Sequence, residues 1–240
     1  MDVKIYDKLA KRYDFATKVV SFGIEELWRW MFVREIKKYV RNGVLIDVAS
    51  ATGEMAKVLD FEKMYLIEPS EEMVKVIKDK FLKAGYIEDG IEEELKNPNI
   101  KLKKEKSEIV IIRDIAENVV VPKKADIVTA FMAIRNFDDI DKGMENLKNS
   151  IKPGGYFAIV EMVKSRNFIA KLILWYMNNV VPLIAGIMLG MKEEYKLLGR
   201  SIDSLEENEI LKNLEGFKIV KKHKLIFPVA SLIIAKKDDG

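Results

Sequence analysis

The sequence predicts an α/β fold in which a Rossmann-like, doubly wound and mostly parallel seven-stranded sheet ends in a C-terminal antiparallel hairpin. Short apolar runs alternate with helix-favouring segments from residue 44 to residue 160, as expected for parallel strands joined by crossover helices. The last two apolar runs, 217–225 and 230–236, are separated by a link too short to hold a helix, so they predict the hairpin.

The composition excludes several kinds of site. The chain has no cysteine among its 240 residues, which excludes disulfides and thiolate metal ligands and fits a cytoplasmic location. A single histidine, His223, argues against a histidine metal site or a Ser-His-Asp triad, so we expect no bound metal. The net charge of +3 is too small to indicate nucleic-acid binding. Abundant lysine and glutamate without cysteine is typical of a thermophile.

Two helical patterns precede the first strand and predict an N-terminal helical cap. Apolar residues recur at helical spacing through 5–20, residues 21–23 interrupt them, and an amphipathic pattern rich in tryptophan and phenylalanine covers 25–40.

The core then alternates strand and helix. The first strand, Val44 to Val48, leads through a run of small residues into a helix at 54–59, the junction at which an open α/β sheet receives its ligand. Later strands are predicted at 64–67, 108–112, 125–130 and 156–160, and later helices at 71–82, 138–149 and 204–214. We expect Ser70 to cap the helix at 71–82, residues 85–99 to form a loop with a short helix, and residues 152–155 to stop the helix at 138–149.

The segment 168–191 is the nearest approach to a membrane span. Lys171, Asn178, Asn179 and Pro182 interrupt it, so its continuous apolar runs are shorter than the ~20 residues that a span needs. We expect a broken pair of amphipathic helices that covers an apolar ligand, with shallow membrane contact as the alternative.

Acidic residues lie at or just beyond four predicted strand ends: Asp47, Glu68, Asp114 and Glu161. Each could be a helix cap or a solvated loop residue, but their repetition favours a ligand site, because ligands of open α/β sheets lie across the carboxyl ends of the strands. An acid about 20 residues after the first turn is the usual ligand of ribose hydroxyls, and Glu68 has this spacing.

The charge of these residues favours S-adenosylmethionine as the cofactor. Carboxylates would repel the pyrophosphate of a dinucleotide, whereas S-adenosylmethionine has a cationic sulfonium and ammonium and a ribose that needs an acceptor. Residues 51–56 could still be a degraded G-x-G-x-x-[GA] pattern, so an NAD-binding oxidoreductase remains an alternative.

Several motifs resemble known families. The acid-small-small-x-Gly turn, the second-strand acid and Lys152 to Gly155 are similar to class I methyltransferases. Nearly the whole chain resembles the ubiquinone/menaquinone biosynthesis C-methyltransferases, through residues 6–14, residues 21–23 with Trp28 and Arg29, Arg135-Asn136, Tyr176 with Pro182, and residues 195–202.

The resemblance implies roles for individual residues. The cofactor would be bound by Asp47, Ala49, Ser50, Thr52, Gly53, Glu68, Asp114, Ile115 and Phe131. Thr52 and Gly53 would lie against its methionine part, Glu68 against the ribose, and Asp114 and Ile115 against the adenine. Arg135 and Asn136 would be catalytic, holding a phenolate and orienting the ring, and Tyr13, Tyr176 and Tyr195 would line the substrate pocket. A salt bridge from Arg135 to Asp138 or Asp139 is the alternative for that residue.

One residue departs from the family pattern. Ala51 replaces the first glycine of the usual Gly-x-Gly, and a positive φ there would cost ~1–2 kcal/mol of strain.

We therefore expect a methyltransferase that acts on a lipophilic, prenylated quinone precursor, in the cytoplasm or peripheral to the membrane, with an oligomeric assembly left open. The alternatives are a methyltransferase for another small apolar or phenolic substrate and a non-catalytic cofactor-binding or scaffold protein. We expect one domain over 1–240. Its parts are a helical cap at 1–42, a cofactor-binding core at 43–162, a substrate-covering helical insertion at 163–203, and a last helix with the hairpin at 204–240.

Overall fold

The structure is a computed structural model that describes residues 3–164, 167–193, 195–196, 205–225 and 229–239. Its strands are β1 (Val44–Val48), β2 (Lys63–Ile67), β3 (Ile87–Glu88), β4 (Asn99–Lys104), β5 (Ser107–Ile112), β6 (Ala125–Phe131), β7 (Ile151–Met162), β8 (Phe217–Lys224) and β9 (Ala230–Lys237). Its α-helices are α1 (Val3–Leu9), α2 (Tyr13–Ser21), α3 (Ile24–Ile36), α4 (Glu54–Leu59), α5 (Glu71–Lys83), α6 (Ile140–Asn149), α7 (Phe168–Leu189) and α8 (Glu207–Asn213). Short 3₁₀ helices cover Ala10–Arg12 and Ile134–Asn136.

The strands form one sheet in the order β3-β4-β5-β2-β1-β6-β7-β9-β8. The five central strands, from β5 to β7, pair in parallel, and β8 and β9 continue the sheet as an antiparallel hairpin, as predicted. Because β1 lies at the centre, with β2 and β6 beside it, the turns after these three strands meet at one edge of the sheet.

Two additional strands make the sheet nine-stranded rather than seven-stranded. Strand β4 pairs antiparallel with β5 on one side and with the two-residue strand β3 on the other. Most of 85–99 is a loop, as predicted, but it contains β3 in place of the expected short helix. The lysine-rich sequence of β4 hid the strand, because only Leu102 of its six residues is buried. Lys101 of β4 pairs with Glu108 of β5 at 3.4 Å, and Lys63 of β2 contacts the same glutamate and Glu92, each at 2.7 Å.

The fifth predicted strand is longer than expected. Lys152 to Gly155 do separate α6 from the straight part of β7, but they belong to the strand as a bulge, since Ala125 pairs with Ile151 and Ile127 with Tyr156. A Cβ at Gly155 would lie 3.0 Å from the backbone oxygens of Asp126 and Lys152, so the bulge requires glycine there.

Residues 168–189 form one continuous helix, where a broken pair was predicted. Helix α7 runs through Pro182 for 22 residues, and the exposed Asn179 donates a side-chain hydrogen bond to the Trp175 carbonyl within it. By length and composition alone, Phe168–Met188 is apolar enough to cross a membrane, with a mean hydropathy of 1.5 and 28% of the window buried. The interruptions therefore did not shorten the helix as predicted.

A third apolar cluster joins α7 to the cap, apart from the two clusters on the faces of the sheet. It is made by Ile5, Leu9, Ala16 and Val20 of the N-terminal segment with Val181, Ala185 and Tyr195. The N-terminal helices and α7 therefore pack together over the edge of the sheet at which β1, β2 and β6 end.

Candidate active site

A cavity of about 390 Å³ lies between this edge and the covering helices. Its floor contains Asp47, Glu68 and Phe131 from the ends of β1, β2 and β6, and its walls contain apolar residues of α2, α3 and α7. Eleven of the predicted residues line it: Tyr13, Asp47, Ala49, Ser50, Thr52, Glu68, Phe131, Arg135, Asn136, Tyr176 and Tyr195.

The turn after β1 is tightly wound. Ala49 and Ala51 have φ angles of 51° and 48°, and Gly53 has 76°. The amide of Ser50 donates to the Ile67 carbonyl at 3.1 Å, and the amide of Gly53 donates to the Ser50 carbonyl at 2.8 Å. Ala51 therefore has the positive φ for which strain was expected, and Ala49 has it as well. Gly53 immediately precedes α4, and a Cβ added to it would lie 3.2 Å from the Phe81 ring.

Asp47 is buried in the floor of the cavity with 2% of its surface exposed. Its Oδ1 accepts a hydrogen bond from the Thr129 hydroxyl of β6 at 2.7 Å. Burial raises the pKa of Asp47 to about 6, although Thr129 and Ser50 oppose the shift by hydrogen bonding to it.

Glu68 is 4% exposed and is bound by two backbone amides. Its Oε2 accepts from Ala51 at 2.8 Å and its Oε1 from Ser70 at 3.0 Å, so the turns after β1 and β2 are joined through this carboxylate. Burial raises the pKa of Glu68 to about 7 against these hydrogen bonds, and the charges of Asp47 and Asp7 add to the rise. The floor of the cavity is thus a pair of buried carboxylates that are poorly solvated.

Two aspartates of the N-terminal segment accept hydrogen bonds from the turns after β1 and β2. The Thr52 hydroxyl donates to Asp14 at 2.5 Å, and the Ser70 hydroxyl donates to Asp7 at 2.6 Å. The sequence pattern around residues 6–14 pointed to this segment only through a family resemblance and gave Asp7 and Asp14 no role. Their role is to fix the cap to the site.

Asp114 and Ile115 lie beside the main cavity. They line a smaller pocket of about 40 Å³, which shares Ala49 and Asn136 with the main cavity. The Asp114 side chain accepts from Asn97 at 2.9 Å, and burial raises its pKa. Phe131 packs against Phe32 with ring centroids 5.8 Å apart. The predicted cofactor residues other than Gly53 therefore line two adjoining pockets.

Arg135 is paired with Glu161, the acid at the end of β7, rather than with Asp138 or Asp139. Its guanidinium donates to the Glu161 carboxylate, which is fully buried. Burial lowers the pKa of Arg135, but the charges of Glu161 and Tyr6 outweigh it, and the net shift is upward. Arg135 is thus a permanent cation in the cavity wall. Its Nε is buried and has no hydrogen-bond partner among the residues that the structure describes.

Tyrosines surround this cation. Tyr6 accepts a hydrogen bond from Asn136 and lies 6.5 Å from Tyr13 between ring centroids. Burial raises the pKa of Tyr13 well above its usual value and that of Tyr195 to about 12, so both are neutral phenols. The Tyr176 hydroxyl donates to the Val20 carbonyl at 3.3 Å and so fixes α7 to α2.

The sequence analysis missed an ion pair in the wall. Glu25 and Arg29 of α3 are bonded at 2.6 Å, and their side chains are only 19% and 20% exposed. An acid and a base at i and i+4 usually form an exposed helix pair. The aromatic residues Trp28 and Phe32 on the same helix are the signal that could have revealed a buried face.

The sequence matches the model of the ubiE/COQ5 methyltransferase family over residues 2–237. The chain is 28% identical to the ubiquinone/menaquinone biosynthesis C-methyltransferase UbiE of Campylobacter jejuni, over 98% of this chain and 97% of that protein. It is also 28% identical to the demethylmenaquinone methyltransferase of Chlorobaculum tepidum, over 97% of this chain and 90% of that protein.

Solved structures share the fold. An S-adenosylmethionine-dependent methyltransferase from Clostridium acetobutylicum aligns with a TM-score of 0.62 and 14% identity, covering 95% of this chain and 98% of that one. One from Aquifex aeolicus aligns with a TM-score of 0.56 and 17% identity, covering 98% of each chain.

Proposed function

Because the chain belongs to the ubiE/COQ5 methyltransferase family, we propose that it methylates a ring carbon of a prenylated quinol of the demethylmenaquinone or demethylubiquinone type. The protein is an S-adenosylmethionine-dependent methyltransferase. The observation that best supports this substrate is the division of the cavity. Buried carboxylates form one end, and apolar and tyrosine side chains form the other. A cationic cofactor and a lipophilic phenol need opposite surroundings, and this cavity offers both.

The carboxylate end fits the cofactor. Burial raises the pKa of both Asp47 and Glu68, so each would be stabilised by hydroxyl donors or by a nearby cation. S-adenosylmethionine has ribose hydroxyls and positive charge at its methionine end. We assign Glu68 to the ribose and Asp47 to the methionine end, together with the small residues of the turn: Ala49, Ser50, Thr52 and Gly53. Asp114 and Ile115, in the adjoining pocket, are assigned to the adenine, and Phe131 to a further contact.

Methyl transfer to carbon requires an electron-rich ring. When bound, the cofactor supplies an electrophilic methyl group, and the protein must hold the ring carbon in line with it. Such positioning contributes ~7–11 kcal/mol in favourable cases. Arg135 stays protonated and cannot act as a base, so we assign it the stabilisation of a phenolate by charge. Asn136, which already donates to Tyr6, is assigned the orientation of the ring.

The apolar end suits a prenyl tail. Ile173, Met177 and Val181 of α7 line the cavity together with Tyr176 and Tyr195. We assign Tyr13, Tyr176 and Tyr195 to the walls around the quinol. Tyr13 and Tyr195 offer neutral hydroxyls to a phenolic oxygen, whereas the Tyr176 hydroxyl already donates to the Val20 carbonyl and its ring contributes an apolar surface.

We also propose that the protein works in the cytoplasm and contacts the membrane surface through α7. One face of the helix lines the cavity, and the other exposes apolar side chains: Ile169, Leu172, Trp175, Leu183, Ile187 and Met188. A helix with one face on the cavity and an apolar face outside could collect a lipophilic substrate from a bilayer.

The function is tested by anaerobic incubation of the purified protein with S-adenosylmethionine and a short-chain demethylmenaquinol, followed by mass spectrometry of the quinone. We expect one added methyl group on the ring carbon. Turnover only with unprenylated phenols would indicate a different small-molecule methyltransferase. Absence of S-adenosylmethionine binding by calorimetry would indicate a non-catalytic protein and overturn the proposal.

A further inference from the structure

We infer that Glu25 is the group that accepts the proton of the substrate's phenolic hydroxyl. The inference rests on the proposed function, because it requires a phenolic substrate. Ring methylation needs this proton to leave, and Arg135, which is permanently cationic, cannot accept it. The base must therefore be another residue of the cavity wall.

The other titratable groups that line the cavity are otherwise engaged. Tyr6, Tyr13 and Tyr195 have raised pKa values and remain protonated, so they cannot accept a proton near neutral pH. Glu54 follows the turn after β1, at the cofactor end, and its side chain is 31% exposed against 19% for Glu25. Asp47 and Glu68 form the cofactor end. Among the carboxylates of the described residues that line the cavity, Glu25 is the remaining one.

Glu25 lies where the two ends of the cavity meet. Its Oε1 accepts from Arg29 at 2.6 Å, while its Oε2 accepts no hydrogen bond within the described part of the chain. Arg29 lies 5.8 Å from the centroid of the Phe131 ring, and its charge acts on Asp47 at the cofactor end. The pair therefore stands beside both the cofactor end and the tyrosine-lined end.

The surroundings make Glu25 a stronger base than an ordinary glutamate. Burial raises its pKa against the opposing charges of Arg29 and Arg135, and Asp14 adds to the rise. The charged and titratable groups that act on it come from four places: Arg29 on its own helix, Arg135 after β6, Tyr13 and Asp14 on α2, and Tyr195. A base is most effective when its pKa lies near the working pH, and burial, with a smaller contribution from Asp14, shifts the pKa of Glu25 in that direction despite Arg29 and Arg135.

The proposed step balances. The phenolic O–H bond breaks and its proton moves to Glu25. The oxygen's electron pair forms a carbonyl as the ring carbon takes the methyl group from sulfur, which keeps the electrons of the broken carbon–sulfur bond. The hydrogen on that carbon then returns to the oxygen through water and restores the phenol. Glu25 releases its proton to solvent, so each turnover yields one proton.

The variant Glu25→Gln tests this step. It keeps the size of the side chain and a hydrogen-bond acceptor for Arg29 but cannot take a proton. We expect kcat to fall by about 10²–10³-fold, since general bases contribute in that range, with S-adenosylmethionine affinity within twofold of wild type. The matched control is Glu26→Gln. The Glu26 carboxylate is next in sequence to Glu25, is half-exposed and pairs with Lys18 at 3.2 Å. The kcat of this control should be unchanged.

Two further measurements separate a base from a structural residue. The wild-type kcat should rise with pH through the pKa of Glu25, and Glu25→Gln should lose this limb, whereas Glu25→Asp should keep it at a lower rate. With a quinol made more acidic by an electron-withdrawing ring substituent, the kcat values of wild type and Glu25→Gln should differ less, because the proton leaves more readily without a base. Any of three results would overturn the inference. Glu25→Gln could keep the rise of kcat with pH, Glu25→Asp could lose it, or the kcat of Glu25→Gln could lie within threefold of wild type. Failure of the wild type to methylate any quinol would instead overturn the proposed function.

Discussion

At the scale of single residues, the turn after β1 is bonded to the Glu68 carboxylate and strained at Ala51. Ala51 adopts a φ of 48° while its amide donates to Glu68, so a residue with a Cβ holds a backbone angle that glycine adopts freely. A left-handed angle costs a non-glycine residue about 1–2 kcal/mol. The strain is tolerated because the hydrogen bonds to Glu68, Ile67 and Ser50 hold the turn from both sides.

We therefore expect Ala51→Gly to stabilise the protein by about 0.5–1 kcal/mol, the relief of strain less the greater freedom of glycine in the unfolded chain. Thermal denaturation should show a midpoint about 1–4 °C higher for a chain of this size. The control is Ala56→Gly, within α4, which should lower the midpoint. A lower midpoint for Ala51→Gly would show that the turn is not strained.

Glu68 should link cofactor binding to pH. Its pKa of about 7 in the folded protein lies above its usual value of 4.5. The protonated form is thus favoured by folding, and stability without cofactor should fall as pH rises from about 4.5 through 7. Ribose hydroxyls that donate to the carboxylate would favour its charged form, so binding should release a proton near pH 6–7. Calorimetry in buffers of different ionisation enthalpy measures this release, and Glu68→Gln should reduce it and weaken binding. Equal proton release in the variant would remove Glu68 from the ribose site.

At the scale of elements, the structure shows which local signals suffice. Strands β1 and β2 could be predicted because continuous apolar runs are typical of strands buried on both faces. Strand β4 was missed although Ile100 and Leu102 alternate with polar residues, because two apolar positions within a lysine-rich run are too short a pattern to mark a buried face. Polar residues and Pro182 within the α7 segment were predicted to divide it into two helices, but packing of Val181 and Ala185 against the N-terminal helices stabilises it across the proline. The Arg135–Glu161 pair joins residues 26 positions apart, which no local pattern indicates.

The start of α5 joins the N-terminal helices to the sheet. The Ser70 hydroxyl accepts from the Met73 amide at 3.1 Å, as the helix cap, and donates to Asp7 of α1. Ser70→Ala should therefore cost about 1–2 kcal/mol of stability through loss of the cap. Because the bond to Asp7 is lost too, hydrogen exchange should also speed up in α1.

The control for this prediction is Asp139→Ala, which removes a helix cap of α6 that has no bond to the N-terminal segment among the described residues. It should lower stability by a similar amount without faster exchange in α1. Equal rates of hydrogen exchange in α1 of both variants would show that Ser70 does not hold the N-terminal helices in place.

At the scale of the whole molecule, the cap and α7 turn an open sheet edge into an enclosed site. Asp7 and Asp14 bind the turns that surround the buried carboxylates, and the third apolar cluster closes the opposite side. Exclusion of water strengthens every charge interaction inside such a site. The apolar residues left exposed on α7 have no such function within the chain, which is the reason to look for their role at a membrane.

The double variant Leu172→Ser/Ile187→Ser tests that role, because these side chains are 57% and 87% exposed and neither lines the cavity. Partial burial of two such side chains in a bilayer contributes about 2–3 kcal/mol. Sedimentation with vesicles of phosphatidylcholine and phosphatidylglycerol should therefore weaken by at least about tenfold. Turnover of a water-soluble short-chain quinol should stay at the wild-type rate, while turnover of a long-chain quinol in vesicles falls. The control Ile91→Ser changes a 59% exposed side chain in the loop between β3 and β4, where the sheet order begins. It should change neither vesicle binding nor turnover. Equal vesicle binding by all three proteins would assign the exposed face of α7 to something other than lipid.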